Sequence, residues 1–419
     1  MKDGMMSEEK TKSFAVSKAM VYNSYLKVCS KDGAAGIDRE TIDMFNKDLE
    51  KNLYKVYNRM ASGSYFPPAV RTVLIPKKQG GKRPLGIPTV GDRIAQGVVK
   101  DYLEPILEPL FSNSSFGYRP GRSAHDALAQ CNNNCRQYAW VVDLDIQSFF
   151  DNLSHEWMMK MVSHHTQEKW VLLYIERWLK AGVEQADGSI AARTKGTPQG
   201  GVISPLLANL YLHHAFDMWI SKHYASNPFE RYADDIIVHC NSKAEAEELL
   251  SSIRQRLQGF ELELHPEKTK VVYCKSYNRK EEHEHNSFTF LSYSFQPRVK
   301  ANLQFKDRKF MAFDAAICCN AKAYIKQRIR EVFNPRNTTV SLEQAAIKLN
   351  PKIRGWLNYY CRFNAITAQK VFEYLNELIQ RWFSEKFKLR GKMAILEKYK
   401  TYVHENPKLF IHWQKGITY

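Results

Sequence analysis

Two short apolar segments that carry acidic residues constrain the fold of this chain most strongly. The first is WVVDLDI at 140–146, in which Asp143 and Asp145 alternate with apolar residues. On a β-strand this alternation places both carboxylates on one face and the intervening side chains on the other. The second is RYADDIIVHC at 231–240, where two adjacent acids precede an apolar run. The pattern predicts a strand and a hairpin with acidic residues at the strand ends.

Carboxylates that converge at the ends of apolar strands repel one another. At ~4 Å each pair costs on the order of a few kcal/mol at an effective dielectric near 20. Asp145, Asp234 and Asp235 would therefore need cations, and oxygen ligands favour Mg²⁺. Two such ions about 4 Å apart can activate a 3′-hydroxyl and stabilise a leaving pyrophosphate. DLD and ADD could be unrelated surface turns, but the pair, with a Gly-rich turn between them, favours a functional site.

The charge of the chain indicates a polyanionic partner. The formal net charge is +17 and the pI is about 9.3. Residues 321–419 hold 19 Lys and Arg against 7 Glu, which leaves +12 in this part alone. No stretch has the ~18 apolar residues of a membrane helix, and the N-terminus does not resemble a signal peptide. Nucleic acid is therefore favoured over membrane, and the scattered cysteines predict reduced thiols in a cytoplasm, without a zinc site at CNNNC (131–135).

Hydrophobic periodicity predicts an α+β body followed by a basic, all-helical tail. The predicted helices are 14–60, 94–110, 154–180, 205–222 and 243–258. The predicted strands are 69–76, 140–146, a hairpin in 231–240, and strands near 261–264, 270–274 and 288–295. From about residue 320 onward the pattern is helical throughout.

Several ordered motifs resemble those of the group II intron reverse transcriptase/maturase family. They are KDGAAGID (31–38), IPKKQGGKRPLGIPTVGDRIAQ (75–96), FGYRPGRSAHDAL (116–128), DLDIQSFFDN (143–152), GTPQGGVISPLLANLYLH (196–213), YADD (232–235), LELHPEKTK (262–270), NPKIRGWLNYY (350–360) and KLFIHWQKG (408–416). The resemblance implies an α+β right-hand polymerase. Residues 1–305 would form fingers and palm, with an antiparallel palm sheet and an N-terminal extension at about 14–65. Residues 306–419 would form an α-helical thumb and the maturase X domain.

The same resemblance implies the residues of a polymerase site. Two Mg²⁺ ions, for which Mn²⁺ can substitute, would be held by Asp145, Ile146, Asp234 and Asp235. The motifs leave the role of Asp143 open, either as a supporting acid or as a ligand.

Five further residues are expected to bind the incoming dNTP. Lys77 and Arg83 would hold its triphosphate, as one point-charge and one bidentate donor, unless they form a solvated loop. Phe150 would clash with a 2′-hydroxyl, unless it is simply a core residue. Gln199 and the following glycines would touch the nascent base pair, because glycine lets backbone approach a ligand closely. Lys268 is a candidate proton donor to pyrophosphate, and FTFLSYSF (288–295) would be the primer grip.

The basic tail is expected to hold RNA or an RNA–DNA duplex. Lys322, Lys326 and Arg330 recur every fourth residue and form one basic stripe, opposite Ile325, Ile329 and Val332. This stripe could also be an ordinary solvated face. The expected nucleic-acid contacts are Arg119, Arg122, Lys322, Lys326, Arg330, Arg354 and Trp356. The implied partners are RNA template, RNA–DNA duplex, structured intron or noncoding RNA, and dNTPs; the oligomeric state stays open.

The chain departs from the family pattern at a few positions, and several functions stay open. Gln147-Ser148 stands where the family commonly has Lys-Gly, and Ser292 stands where it has Gly. No endonuclease segment follows the X domain, so cleavage of a second target strand is not expected. The favoured function is a reverse transcriptase with maturase activity in intron splicing and mobility. The alternatives are a domesticated relative in antiphage defence or DNA repair with its own noncoding RNA, a non-enzymatic RNA chaperone, and an RNA-dependent RNA polymerase, against which Phe150 argues.

Overall fold

The computed structural model describes residues 13–76, 81–185, 187–301 and 309–418. These residues form two compact units. The first consists of the described parts of Met1–Ala127 and Trp140–Val271, and the second of Leu128–Ala139 and the described parts of Val272–Tyr419. The predicted division at 305/306 is one of function rather than of packing, and it stays a prediction.

The first unit begins with three helices where the sequence predicted one helical region over 14–60. They are α1 (Lys18–Cys29), α2 (Ile42–Lys47) and α3 (Leu49–Ala61). The interruption contains Gly36, where a Cβ would lie 2.7 Å from backbone atoms of Thr89. This close approach of two backbones excludes a side chain, and it fixes a loop between α1 and α2.

A hairpin and two helices follow. The strands are β1 (Arg71–Pro76) and β2 (Lys82–Ile87), which pair antiparallel with Arg71 opposite Ile87. Lys77 lies in their connection, outside the described residues. The helices are α4 (Val90–Leu107), capped by the Thr89 hydroxyl, and α5 (Ala124–Gln137), which belongs to the second unit from Leu128 onward. The predicted helix at 94–110 is thus confirmed, with a 3₁₀ turn as its last three residues.

The central sheet contains both acidic segments. Its strands are β3 (Trp140–Asp145), β6 (Phe229–Tyr232), β7 (Asp235–Cys240) and β8 (Lys270–Tyr273), in the order β6-β7-β3-β8. The strand and hairpin predicted from WVVDLDI and RYADDIIVHC are confirmed. In the sequence between β3 and β6, two short strands form a separate antiparallel pair, β4 (Val183–Glu184) and β5 (Ile190–Ala191). The strand predicted near 261–264 is reduced to one bridge, between Ile146 and Leu264.

Helices pack around this sheet. They are α6 (Phe149–Asn152), α7 (His155–His165), α8 (Lys169–Lys180), α9 (Ser204–Leu212), α10 (Met218–His223) and α11 (Lys243–Gln258). The single helix predicted at 154–180 is wrong, because Thr166 is extended and its hydroxyl accepts from the Glu168 amide, which begins a new helix. A π-helical turn, His213–Asp217, separates α9 from α10. The prediction for α11 is confirmed, and Ser242 and Glu245 form its capping box.

The second unit combines a sheet with the helical tail. The strands β9 (Phe288–Phe290), β10 (Tyr293–Ala301) and β11 (Lys309–Ile317) are antiparallel in the order β11-β10-β9. The helices are α12 (Cys319–Val332), α13 (Leu342–Tyr360), α14 (Ala365–Phe387), α15 (Lys392–Glu405) and α16 (Ile411–Gln414). The helical tail is confirmed, while the long β10–β11 hairpin was not predicted. The fold is therefore α+β with antiparallel sheets, and no helix of the described residues is long and apolar enough to cross a bilayer.

Candidate active site

The two acidic segments meet in the central sheet. β3 and β7 run antiparallel, with Asp145 directly opposite Asp235. Directly opposed residues in such a pair have Cα atoms about 5 Å apart and side chains on the same face. Asp234 lies in the turn between β6 and β7, after Ala233, whose φ of 57° is in the left-handed region. The fold thus brings together acids that are about 90 residues apart in the sequence.

Burial and mutual repulsion raise the pKa values of these acids. The Asp235 side chain reaches solvent, but the surrounding protein partly desolvates its carboxylate and so raises its pKa to about 7. The charges of Asp234 and Asp145 raise this pKa further. Burial, reinforced by Asp145, also raises the pKa of Asp234. Burial first, and then Asp235 and Asp145, raise the pKa of Asp143 to about 8. These carboxylates are poorly compensated by protein groups, which is the condition that a divalent cation relieves.

Lys268 is the cation nearest to Asp145 that the described residues provide. Its Nζ lies 3.2 Å from Asp145 Oδ2, and its side chain is 55% exposed. The backbone beside it is fixed, since the amide of His265 donates to the carbonyl of Asp145 at 2.7 Å. The β-bridge between Ile146 and Leu264 also holds the segment that contains Lys268 against the end of β3. Lys268 therefore belongs to the acidic site itself.

A cavity of about 710 Å³ opens beside the acids. Its lining includes seven of the predicted site residues, namely Arg83, Asp145, Ile146, Phe150, Gln199, Asp234 and Lys268. Asp235 is not among the lining residues, although it is paired with Asp145. Within the described part of the chain, the carboxylate oxygens of Asp145, Asp234 and Asp235 do not all lie within 4.8 Å of one another.

The two adjacent phenylalanines have different environments. Both line the cavity, but Phe149 is 2% exposed and belongs to the core, whereas Phe150 is half-buried. Their rings contact edge to face, with centroids 5.3 Å apart. The packing of Phe149 therefore fixes the helix turn that presents Phe150 to the cavity.

The two serines at which the resemblance implies a glycine both adopt left-handed backbone. Ser148, directly before α6, has a φ of 46°, and Ser292, in the turn between β9 and β10, has a φ of 67°. This region is strained for residues that carry a Cβ, and glycine enters it freely. The departures thus preserve the turns at some cost in free energy.

The Gly-rich segment at 196–201 forms a tight turn against two neighbours. The amide of Gly86 in β2 donates to the carbonyl of Gln199 at 2.6 Å, and the amide of Thr197 donates to the carbonyl of Phe150 at 2.8 Å. Gly200 has a φ of 115°, and a Cβ there would lie 2.3 Å from the carbonyl oxygen of Gly86. Only glycine fits this approach, which places Gln199 at the cavity.

A buried ion pair supports the acidic turn and was not predicted. Arg231 is fully buried, and its guanidinium donates to both oxygens of Asp217 at 2.6 and 2.7 Å. It also donates to the side chain of Asn209 at 3.0 Å and to the carbonyl of Ala233 at 3.1 Å. These hydrogen bonds fix the turn that contains Asp234. The available signal in the sequence was an arginine within the short strand Phe229–Tyr232.

Two of the residues predicted to contact nucleic acid, Arg119 and Arg122, form hydrogen bonds within the first unit. Arg119 is 8% exposed, and it donates to the carboxylate of Glu108 and to the carbonyls of Ser112 and Ser115. This placement favours a structural role in the 112–119 loop. Arg122 is half-buried and donates to Asn113.

The remaining predicted contacts lie on the first two helices of the tail. In α12 the buried residues are Ala321, Ile325 and Ile329. Lys322, Lys326 and Arg330, together called the α12 basic stripe, each follow one of them by a single position. They therefore flank the buried face, about 100° away, and do not oppose it as predicted. In α13, Arg354 is exposed and Trp356 is half-buried.

Comparison with known proteins establishes the family. Residues 75–295 match the family described as reverse transcriptase (RNA-dependent DNA polymerase), and 322–400 match the group II intron, maturase-specific domain. The chain therefore belongs to the reverse transcriptase family, within the group of group II intron reverse transcriptase/maturases. Its matched catalytic domain is that of an RNA-directed DNA polymerase, a nucleotidyltransferase.

Similar proteins are found in bacteria and fungi. The chain is 38% identical over 195 residues to the group II intron-encoded protein LtrA of Lactococcus lactis subsp. cremoris, across 46% of this chain and 32% of LtrA. It is 32% identical over 276 residues to protein YkfC of Escherichia coli, across 57% of this chain and 72% of YkfC. It is 34% identical over 205 residues to an uncharacterized 91 kDa protein in the cob intron of Schizosaccharomyces pombe, of which it covers 25%. The chain thus spans about a third or less of two of these relatives.

Proposed function

We propose that the protein is a reverse transcriptase that extends a primer 3′-hydroxyl with dNTPs by two-metal phosphoryl transfer. We propose further that it binds structured RNA as a maturase in group II intron splicing and mobility. The observation that supports this most is the direct pairing of Asp145 with Asp235 beside a cavity lined by Arg83, Phe150 and Gln199. Acids, a cation for phosphate, an aromatic ring and a backbone turn are the groups that templated nucleotide addition requires.

Mg²⁺ fits the donor set of the acidic site. Asp145, Asp234 and Asp235 offer carboxylate oxygens, and Ile146, whose side chain is buried, can offer its backbone carbonyl. When bound, two Mg²⁺ ions activate the 3′-hydroxyl and stabilise the leaving pyrophosphate. Lys268, whose Nζ lies 3.2 Å from Asp145 Oδ2, would be displaced by metal ions held by Asp145. Its ammonium group would then face the pyrophosphate, in keeping with its expected role as a proton donor.

Arg83 and Phe150 act on the nucleotide in different ways. Arg83 is exposed at the cavity, so its guanidinium is available to hold the triphosphate in a bidentate manner. Phe150 presents its ring to the same cavity and would exclude a 2′-hydroxyl, which favours dNTPs over rNTPs. Gln199 and Gly200 bring backbone close to the nascent base pair. Lys77, outside the described residues, is proposed as a second triphosphate contact.

The domain roles follow the family. Residues 1–305 are proposed as fingers and palm, with the N-terminal extension at about 14–65, and 306–419 as thumb and maturase X domain. The net charge of +12 in 321–419 and the match of 322–400 to the maturase-specific domain support an RNA-binding role there. Arg354 and Trp356 would join the α12 basic stripe in that role.

Primer extension with a binding control tests the proposal. The double variant Asp234→Ala/Asp235→Ala should lose extension of a DNA primer on an RNA template, because its carboxylates are gone. Its affinity for RNA should stay within about twofold of the parent, because the tail is unchanged. Extension by the double variant at the parent rate would refute the metal assignment.

The identity of the bound RNA separates the two versions of the proposal. Sequencing of the RNA that co-purifies with the protein should return an intron with a catalytic domain V if the protein is a maturase. A dedicated noncoding RNA without intron features would instead support the domesticated role in defence or repair, with the same polymerase site.

A further inference from the structure

A chain of buried polar side chains runs from α4 to the Gly-rich turn at the cavity. Asp92 and Gln96, one helical turn apart in α4, are 1% and 2% exposed. Gln96 Nε2 donates to Asp92 Oδ2 at 3.0 Å, and Gln96 Oε1 accepts from the backbone amide of Val202 at 2.8 Å. Buried polar groups carry a desolvation cost that such hydrogen bonds have to offset. Their placement in an otherwise apolar helix face therefore requires an explanation.

Asp92 fixes the orientation of the Gln96 amide. Its Oδ1 accepts from Tyr65 Oη at 2.8 Å and from Trp178 Nε1 at 2.7 Å, while Gln96 binds the other oxygen. An ionised carboxylate accepts only, so the amide group of Gln96 has to present its nitrogen to Asp92. The carbonyl oxygen of Gln96 is then left to face the amide of Val202.

The turn held by Gln96 is the one that reaches the nucleotide cavity. Val202 directly follows Gln199, Gly200 and Gly201, all of which line that cavity. A Cβ at Gly201 would lie 3.2 Å from Gln96 Oε1, so the backbone of Gly201 packs closely against the side-chain amide of Gln96. From the other side, the amide of Gly86 holds the carbonyl of Gln199. The turn is thus clamped between β2 and α4.

We propose that Gln96, oriented by Asp92, is a positioning residue that sets the placement of the Gln199–Gly201 turn against the incoming dNTP and nascent base pair. The proposal rests on the polymerase function proposed above. Gln96 does not line the cavity and touches none of the three acids, so it acts on nucleotide binding and base selection. It takes no part in the chemistry at the carboxylates.

Steady-state kinetics of Gln96→Met test this role. Methionine keeps the volume but cannot accept the Val202 hydrogen bond. With oligo(dT)-primed poly(rA), the KM for dTTP should rise about 3- to 10-fold, since a lost hydrogen bond loosens the turn. The kcat should change less than about twofold. Misincorporation of dGTP should rise as well. Gln96→Asn, one methylene too short to reach Val202, should reproduce the effect if Gln96→Met folds poorly.

A matched control separates positioning from general stability. Asn376, 1% exposed in the second unit, donates to the carbonyl of Ile417 at 3.1 Å and is remote in sequence from the turn. Asn376→Leu should lower the melting temperature as Gln96→Met does, and leave the KM for dTTP unchanged. Equal KM changes in both variants, or no change in Gln96→Met, would overturn the proposal.

Hydrogen exchange gives a readout that does not need activity. In Gln96→Met, the peptide that covers residues 199–203 should exchange faster than in the parent, and in Asn376→Leu it should not. Unchanged exchange in Gln96→Met would also overturn the proposal. A parent chain that fails to extend any primer would instead refute the polymerase function, and the positioning role would fall with it.

Discussion

Replacing Asp143 by Asn tests whether this acid is a supporting residue or a metal ligand. Asp143 lies two residues before Asp145 on the same face of β3, opposite Ile237. It does not belong to the cavity lining, whereas Asp145 does. Burial and the neighbouring acids raise its pKa from 3.8 to about 8. At neutral pH the Asp143 carboxyl therefore lowers the free energy of unfolding, although it does not line the cavity.

The sign and size of the effect follow from that pKa. In the unfolded chain Asp143 loses its proton near pH 4, while in the folded chain it keeps the proton to about pH 8. The free energy of unfolding therefore falls as the pH rises from about 4 to about 8, by at most ~4 kcal/mol at pH 7. Partial exposure reduces this to about 1–3 kcal/mol. Asn carries no proton, so Asp143→Asn should be more stable than the parent at pH 7 and equal to it at pH 4.

Two assays together decide the matter. Denaturant unfolding in EDTA at pH 4.5 and pH 7.5 measures the stability difference. The residual pH dependence of the variant comes from the other groups with shifted pKa values, among them Asp92, Asp234 and Asp235. Primer extension should survive in Asp143→Asn and fall to background in Asp145→Asn. Loss of extension in both variants would make Asp143 a ligand. An equal stability of parent and Asp143→Asn at both pH values would refute the electrostatic reasoning.

Four further predictions concern separate parts of the molecule. Ser148→Gly should raise the free energy of unfolding by about 1 kcal/mol in denaturant melts, because it relieves left-handed strain; Ser62→Gly, at a φ of −91°, should give no such gain. Arg231→Met should destabilise by about 3–5 kcal/mol in the same melts, since it leaves a buried carboxylate unpaired; a smaller loss than 1 kcal/mol would refute this. Phe150→Val should increase rNTP incorporation in a primer extension assay, and unchanged sugar selectivity would remove its proposed role. Replacing all three residues of the α12 basic stripe by Glu should weaken RNA binding and make it less dependent on salt concentration in filter binding. A salt dependence equal to that of the parent would contradict RNA contact at this stripe.

The sequence was most informative where a local pattern carries the structure. Alternation of acids and apolar residues in WVVDLDI predicted β3, and the polar pair within RYADDIIVHC predicted the hairpin of β6 and β7. The first pattern depends on side chains two residues apart, which a strand places on one face. The second depends on a polar turn between two runs suited to β structure. The helix at 243–258 was predicted from an equally local pattern, the amphipathic spacing of its apolar residues.

The features that escaped prediction depend on contacts between distant residues. The ion pair of Arg231 with Asp217 and the hydrogen bond of Gln96 with Val202 join segments whose neighbourhood is set only by the tertiary fold. The β10–β11 hairpin was missed because Pro297 and interspersed charges obscure its alternation. The break at Thr166 has neither Gly nor Pro, and so gives no local signal.

The most direct measurement of the central claim is an anomalous difference map from crystals of the protein with primer, RNA template, a non-hydrolysable dNTP analogue and Mn²⁺. We expect two peaks about 4 Å apart, with the carboxylates of Asp145, Asp234 and Asp235 about 2.2 Å from them. Manganese bound elsewhere in the chain, with these three carboxylates free of any peak, would contradict it.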